Sequence, residues 1–145
     1  MNTPNLKLLL VEDNELLAEM EIEELEKNNY EVTWCKSLSE FEDKCNDDYL
    51  MIITDINLPD GDIFKSIKNL RMNCIDTPVV FQTGSPNVSY IKESFSLGAV
   101  DFLQKPFRIE DLSVLIQKYE MIKRLDESNP EMAQKARVHM KLANI

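Results

Sequence analysis

The chain has 145 residues, 43% of them apolar and 29% charged, with a formal net charge of −10. That length can bury a real core in one domain, and the acidity argues against a nucleic-acid-binding surface. No apolar run approaches the ~20 residues of a membrane span, and the start, "MNTPNLKLLLVED", is too soon interrupted for a signal peptide.

"LKLLLV" (6–11) is a continuous apolar run, as expected of a parallel strand covered on both faces. "ELLAEMEIEELEKN" follows as an amphipathic helix, with Leu17, Met20 and Leu25 on one side and Asn14 placed to cap it. Its glutamates, Glu19, Glu21, Glu23, Glu24 and Glu26, read best as a solvated face, with a basic partner as the alternative. "YEVTWC" (30–35) is a β-branched and aromatic strand, "SLSEFEDKCN" (37–46) a short Ser-capped helix, and "YLMIIT" (49–54) a buried strand. After the turn "NLPDGD", residues 62–72 read as helix, "TPVVFQT" (77–83) as strand, about 87–97 as helix and "AVDFL" (99–103) as strand. The helix from 108 carries Leu112, Leu115, Ile116, Tyr119 and Ile122 at helical spacing.

"DESNP" (126–130) breaks that helix, so the expected organisation is one domain over 1–125 and a tail over 126–145, either one extra helix or the start of a linker. The tail also differs in charge. Residues 117–145 hold 6 Lys/Arg and 4 Asp/Glu, whereas residues 1–116 hold 10 and 22. Cys35, Cys45 and Cys74 form no CxxC pair, which points to reduced thiols in a cytoplasm and away from a disulfide frame or zinc site.

Five strand–helix units with short connections predict an α/β fold, a doubly wound five-stranded parallel sheet with helices on both faces. Ligands of such sheets bind at the carboxyl ends of the strands, near the switch point of strand order. Strand one ends in Glu12 and Asp13, strand three in Asp55, strand four in Thr83, and strand five just before Lys105. In the order 2-1-3-4-5, strands one and three are neighbours, so the three carboxylates share one pocket that Thr83 and Lys105 close. Singly, each residue has an ordinary reading: a solvated loop, a turn former, a strand-end hydroxyl, a lysine stem lying over the core. Together they carry more weight.

Two carboxylates about 5 Å apart repel by roughly 3 kcal/mol at an effective dielectric near 20, so three in one pocket need a cation or a proton. Oxygen ligands alone suit Mg²⁺, and such a pocket stabilises a phosphoryl group in transfer. His139, the sole histidine, lies in the tail. The nucleophile at hand is a carboxylate, which makes an aspartyl phosphate the natural covalent intermediate.

With these residues assembled, about residues 5 to 125 resemble the response-regulator receiver domains of two-component signalling, a CheY-like fold. "LLLVEDNE" is similar to the family's acidic pair, which implies that Asp13 ligates Mg²⁺ (or Mn²⁺) directly and Glu12 assists through water. "IITDINLPDGD" resembles the phosphoacceptor segment and implies Asp55 as the phosphorylated residue, with the main-chain carbonyl of Asn57 as a metal ligand. "VVFQTG" supplies the family's hydroxyl as Thr83. "GAVDFLQKPF" supplies the switch aromatic as Phe102 and the lysine as Lys105, before a Lys-Pro bond that is typically cis in the family. Ile63 stands where receivers usually carry glycine, and Phe102 lacks the tyrosine hydroxyl, so a switch there works by packing alone.

The resemblance implies a signalling module and not a conventional enzyme, since it catalyses only its own phosphorylation and slow dephosphorylation. Its implied partners are a histidine kinase or histidine phosphotransfer protein and a downstream protein target. The face of the fourth helix, fifth strand and fifth helix could also carry a homodimer. Two rivals stand beside this reading. One is an interaction module that ignores phosphate, which the retained acidic set disfavours. The other is an aspartyl phosphatase, which often carries a second acid where Asn57 stands.

Overall fold

A computed structural model describes residues 6–85 and 87–143. Residues 1–5, Pro86, residues 144–145 and the His139 side chain lie outside the described residues. The elements run β1 (Leu6–Val11), α1 (Glu15–Lys27), β2 (Tyr30–Cys35), α2 (Leu38–Lys44), β3 (Met51–Asp55), α3 (Ile63–Met72), β4 (Val79–Thr83), α4 (Val88–Ser96), β5 (Ala99–Gln104), α5 (Ile109–Ser128) and α6 (Pro130–Ala143).

The five strands form one sheet in the order β2-β1-β3-β4-β5, every pairing parallel. Side chains alternate across it, as the strand period of two requires. Leu9, Val11, Ile52, Val79 and Phe81 pack with Leu38, Phe41, Ile63, Phe64 and Ile67 of α2 and α3. Leu8, Leu10, Met51, Ile53 and Val80 pack with Ala18 and Leu25 of α1 and with Leu112, Leu115 and Ile116 of α5. The continuous apolar runs of β1 and β3 follow from this double covering.

Helix starts obey local chemistry. The side chains of Asn14, Ser37, Asp62 and Asn87 each accept from a backbone N–H in the first turn of α1, α2, α3 and α4. At the other end of α4, Gly98 has φ of 88°, and a Cβ there would lie 3.0 Å from Arg71 Nη2. Arg71 uses the room: its Nε donates to Leu97 O and its Nη1 to Ile75 O, both at 2.8 Å, tying the ends of α3 and α4 together. The Lys105–Pro106 peptide is cis.

The reading of α1 needs correction. Glu21 is fully buried and Glu24 only 8% exposed, whereas Met20 is half exposed. The core-facing stripe is Ala18, Glu21, Glu24 and Leu25, which is rotated from the Leu17–Met20–Leu25 stripe. A template that counts every glutamate as outward cannot find this face, because here two carboxylates are turned inward onto polar partners on β4 and α5.

Candidate functional site at the carboxyl edge of the sheet

The parallel register brings four strand ends to one edge. Val11 faces Thr54, Asp55 faces Gln82, and Thr83 faces Gln104, so the residues following each strand surround Asp55. Lys105 reaches across β4 and β3 to the end of β1. Its Nζ donates to Asp55 Oδ2 at 2.6 Å and to Glu12 Oε1 at 2.9 Å. The second oxygen of Asp55 accepts from Asn57 N at 2.9 Å, and the second oxygen of Glu12 accepts from Asn14 N at 3.2 Å. Each carboxylate is thus held at both ends, one by charge and one by a backbone amide.

Glu12, Asp13 and Asp55 place one oxygen each within 4.8 Å of one another. Glu12 and Asp55 are buried and Asp13 is exposed, so the cluster opens to solvent on the Asp13 side. Burial pushes the Glu12 carboxyl above its ordinary value, against the opposing hydrogen bond from Lys105. For Lys105, burial works against the charge, but the bonds to Asp55 and Glu12 prevail and hold the ammonium above its ordinary value. One cation between two acids offsets the mutual repulsion of the carboxylates, which is about 3 kcal/mol per pair at this spacing.

Thr83 is fully buried. Its Oγ1 accepts from Ser85 N at 3.1 Å and from Asn57 Nδ2 at 3.4 Å, and as a hydroxyl it retains one proton to give. Phe102 lies outside this polar group. It is partly buried, with its ring 6.4 Å from that of Phe81, and Phe81 continues through Phe64 to Tyr90 on α4. Glu12, Asp13, Asp55, Thr83 and Lys105 therefore gather at this edge, with Phe102 on the adjoining face. A groove of about 1010 Å³ lies at the opposite end of the strands among Tyr49, Pro78, Ile91, Phe95, Tyr119 and Ile122 and includes neither the edge residues nor Phe102.

Three neighbours were not anticipated. Trp34 Nε1 donates to Glu12 O at 2.9 Å, bracing the acidic pair from β2. Gln82 on β4 donates from Nε2 to Glu21 Oε1 on α1 at 2.5 Å. A buried amide in the apolar run "VVFQT" signals that a partner must exist, though not which one.

A family model for the response regulator receiver domain matches residues 8–117. The transcriptional regulatory protein CrdR of Helicobacter pylori is 33% identical over 117 residues, covering 78% of this chain and 54% of the relative. The two-component response regulator ARR11 of Arabidopsis thaliana is 30% identical over 126 residues, covering 84% and 24%. The chain thus spans about half or less of the length of these curated relatives. The non-phosphorylated HemR receiver domain from Leptospira biflexa superposes with a TM-score of 0.75 at 31% identity, covering 79% of this chain and 94% of that one. With the five-stranded parallel sheet and its strand order, the chain belongs to the response regulator receiver domain family of two-component systems.

Proposed function

We propose that this receiver domain takes a phosphoryl group onto Asp55 from a phosphohistidine of a histidine kinase or histidine phosphotransfer protein. The observation that carries the reading is the Lys105 ammonium held between Asp55 and Glu12 within a cluster of three carboxylates. A carboxylate oxygen of Asp55 attacks phosphorus, the P–N bond breaks, and its electron pair stays on the donor imidazole. The phosphoryl group carries about two negative charges where the carboxylate carried one, and Lys105 meets them directly and Thr83 through its hydroxyl proton.

The donor set is all oxygen, as a hard divalent cation requires. Glu12, Asp13 and Asp55, with the main-chain carbonyl of Asn57, would hold Mg²⁺ or Mn²⁺, and the ion would neutralise charge on the transferring group. Water then slowly hydrolyses the acyl phosphate, releasing inorganic phosphate and restoring the Asp55 carboxylate, so the module catalyses only its own modification and is no conventional enzyme.

Thr83 moving toward the phosphoryl group would relieve its bonds to Asn57 and Ser85, and Phe102 would repack along Phe81. The output surface is then the α4–β5–α5 face, read by a downstream protein or by a second copy. Residues 1–125 are taken as the signalling unit and 126–145 as a tail, although α5 continues through Ser128 and the break falls at Asn129, before α6. A cytoplasmic setting is part of the same reading, supported by membership of the receiver family. Incubation with a small acyl phosphate and Mg²⁺, followed by intact mass, tests the chemistry. The expected result is a gain of one phosphoryl group that Asp55→Asn abolishes. No gain, or a gain that survives Asp55→Asn, sinks the reading.

A further inference from the structure

Glu21 and Gln82 are both buried, at 0% and 1% exposure, and one bond already joins them. Each also has one buried oxygen without a hydrogen-bond partner among the described residues: Oε2 of Glu21 and Oε1 of Gln82. These two orphans are the remaining arms of two groups in contact. Both are acceptors if Glu21 is ionised, so bringing them together would then be repulsive. A single proton on Glu21 Oε2 turns one acceptor into a donor and satisfies both at once.

We propose that Glu21 is a neutral carboxylic acid in the native fold, donating from Oε2 to Gln82 Oε1 while accepting from the Gln82 amide at Oε1. The resulting two-bond acid–amide ring is a proton-dependent clamp between α1 and the end of β4. The clamp acts at a sensitive place. Gln82 is the register partner of Asp55, its carbonyl accepts from Ile56 N at 3.0 Å, and it directly precedes Thr83. The charged groups facing Glu21 come from three strand ends: Glu12 after β1, Asp55 on β3 and Lys105 after β5. Burial is the largest influence and raises the carboxyl to about 7; the Gln82 bond and Lys105 oppose it, while Glu12 and Asp55 reinforce it. Unpaired buried charge is disfavoured for the same physical reason. Nothing in this inference depends on whether Asp55 accepts phosphate.

The experiment is urea unfolding of the full chain against pH, comparing Glu21→Gln with its parent, both carrying His139→Asn to remove the sole histidine. Glutamine reproduces the neutral acid, since its amide donates to Gln82 Oε1 in place of the proton. The other raised acid, Glu12, is common to both chains and largely cancels in the comparison. Between about pH 5 and pH 7 the unfolding equilibrium of the parent should gain roughly tenfold per pH unit on that of Glu21→Gln, then level off as Glu21 ionises in the folded state too. A constant ratio across that range overturns the proposal. Should Glu21→Gln not fold, infrared spectroscopy of the parent at about pH 6 decides. A protonated-carboxyl stretch that shifts in Gln82→Leu supports the ring. Absence of that band, or a band indifferent to Gln82→Leu, refutes it.

Discussion

The main-chain amide of Lys105 donates to the carbonyl of Thr83 at 2.7 Å, making the two residues the last rung of the β4–β5 ladder. The cation and the hydroxyl that border Asp55 are therefore fixed to one another through backbone. A displacement of either strand end moves both, and Asp55 is linked to the same rung by the Lys105 side chain.

Replacing Lys105 with Met should leave Glu12 and Asp55 facing one another without a cation. Because the lysine side chain is 23% exposed, the cost is discounted from that of a fully buried pair to about 1–3 kcal/mol. The loss should be largest between the carboxylate range and the alkaline limit of the ammonium. Lys105 contributes fully below its ordinary 10.5 and loses its contribution as pH rises through its raised value. It should also fade in acid, where Glu12, held above its ordinary 4.5, takes up its proton early. Denaturant titrations of both chains across pH, without divalent cation, measure this.

Divalent cation should stabilise the folded chain by mass action, by about 2.7 kcal/mol at a hundredfold excess over the dissociation constant. Asp13→Ala removes the exposed member of the acidic cluster and should flatten the rise in melting temperature with Mg²⁺. A chelator should return the parent to its metal-free value. Calorimetric scans over a Mg²⁺ series read both effects, and an unchanged response in Asp13→Ala would remove Asp13 from the ligand set.

Arg71→Lys should cost about 1–3 kcal/mol despite preserving charge. The guanidinium donates to Leu97 O and Ile75 O from two different nitrogens, a fork that a single ammonium cannot reproduce. Equilibrium unfolding gives the number. Hydrogen exchange should localise the loosening to the C-terminal ends of α3 and α4.

The three thiols should separate cleanly in a labelling time course. Cys74 is exposed, whereas burial pushes Cys35 and Cys45 up to about 11. At about pH 8 almost none of either is thiolate, the reactive form, so one equivalent of alkylating reagent should go to Cys74. Raising the pH toward 11 or unfolding the chain should expose the others. Peptide mapping identifies the order.

The element order was legible because strands buried on both faces leave unbroken apolar runs, and α1 to α4 each announce their start with Asn, Ser or Asp. The strand order came through the resemblance. Helix faces were harder. On α1, Met20 looks like core and Glu21 like surface, yet the helix turns the other way. Glu21 meets Gln82 from 61 positions further along the chain, and Glu24 meets Ser113 from 89. Such long-range polar pairs leave no local period to read. The acidic pair, Asp55, Thr83 and Lys105 were visible because each closes a strand. Glu21 and Gln82 lie inside their elements, where position says nothing about chemistry.

Trp34 is the only tryptophan, and its indole hydrogen bonds to the backbone of Glu12, with Lys36 Nζ 5.8 Å above the ring. Indole emission responds to the field and hydrogen bonding around it. A change in charge at the strand ends should therefore alter the emission of Trp34, one hydrogen bond away, and a Mg²⁺ titration followed by tryptophan fluorescence, with no dye attached and no residue altered, checks it.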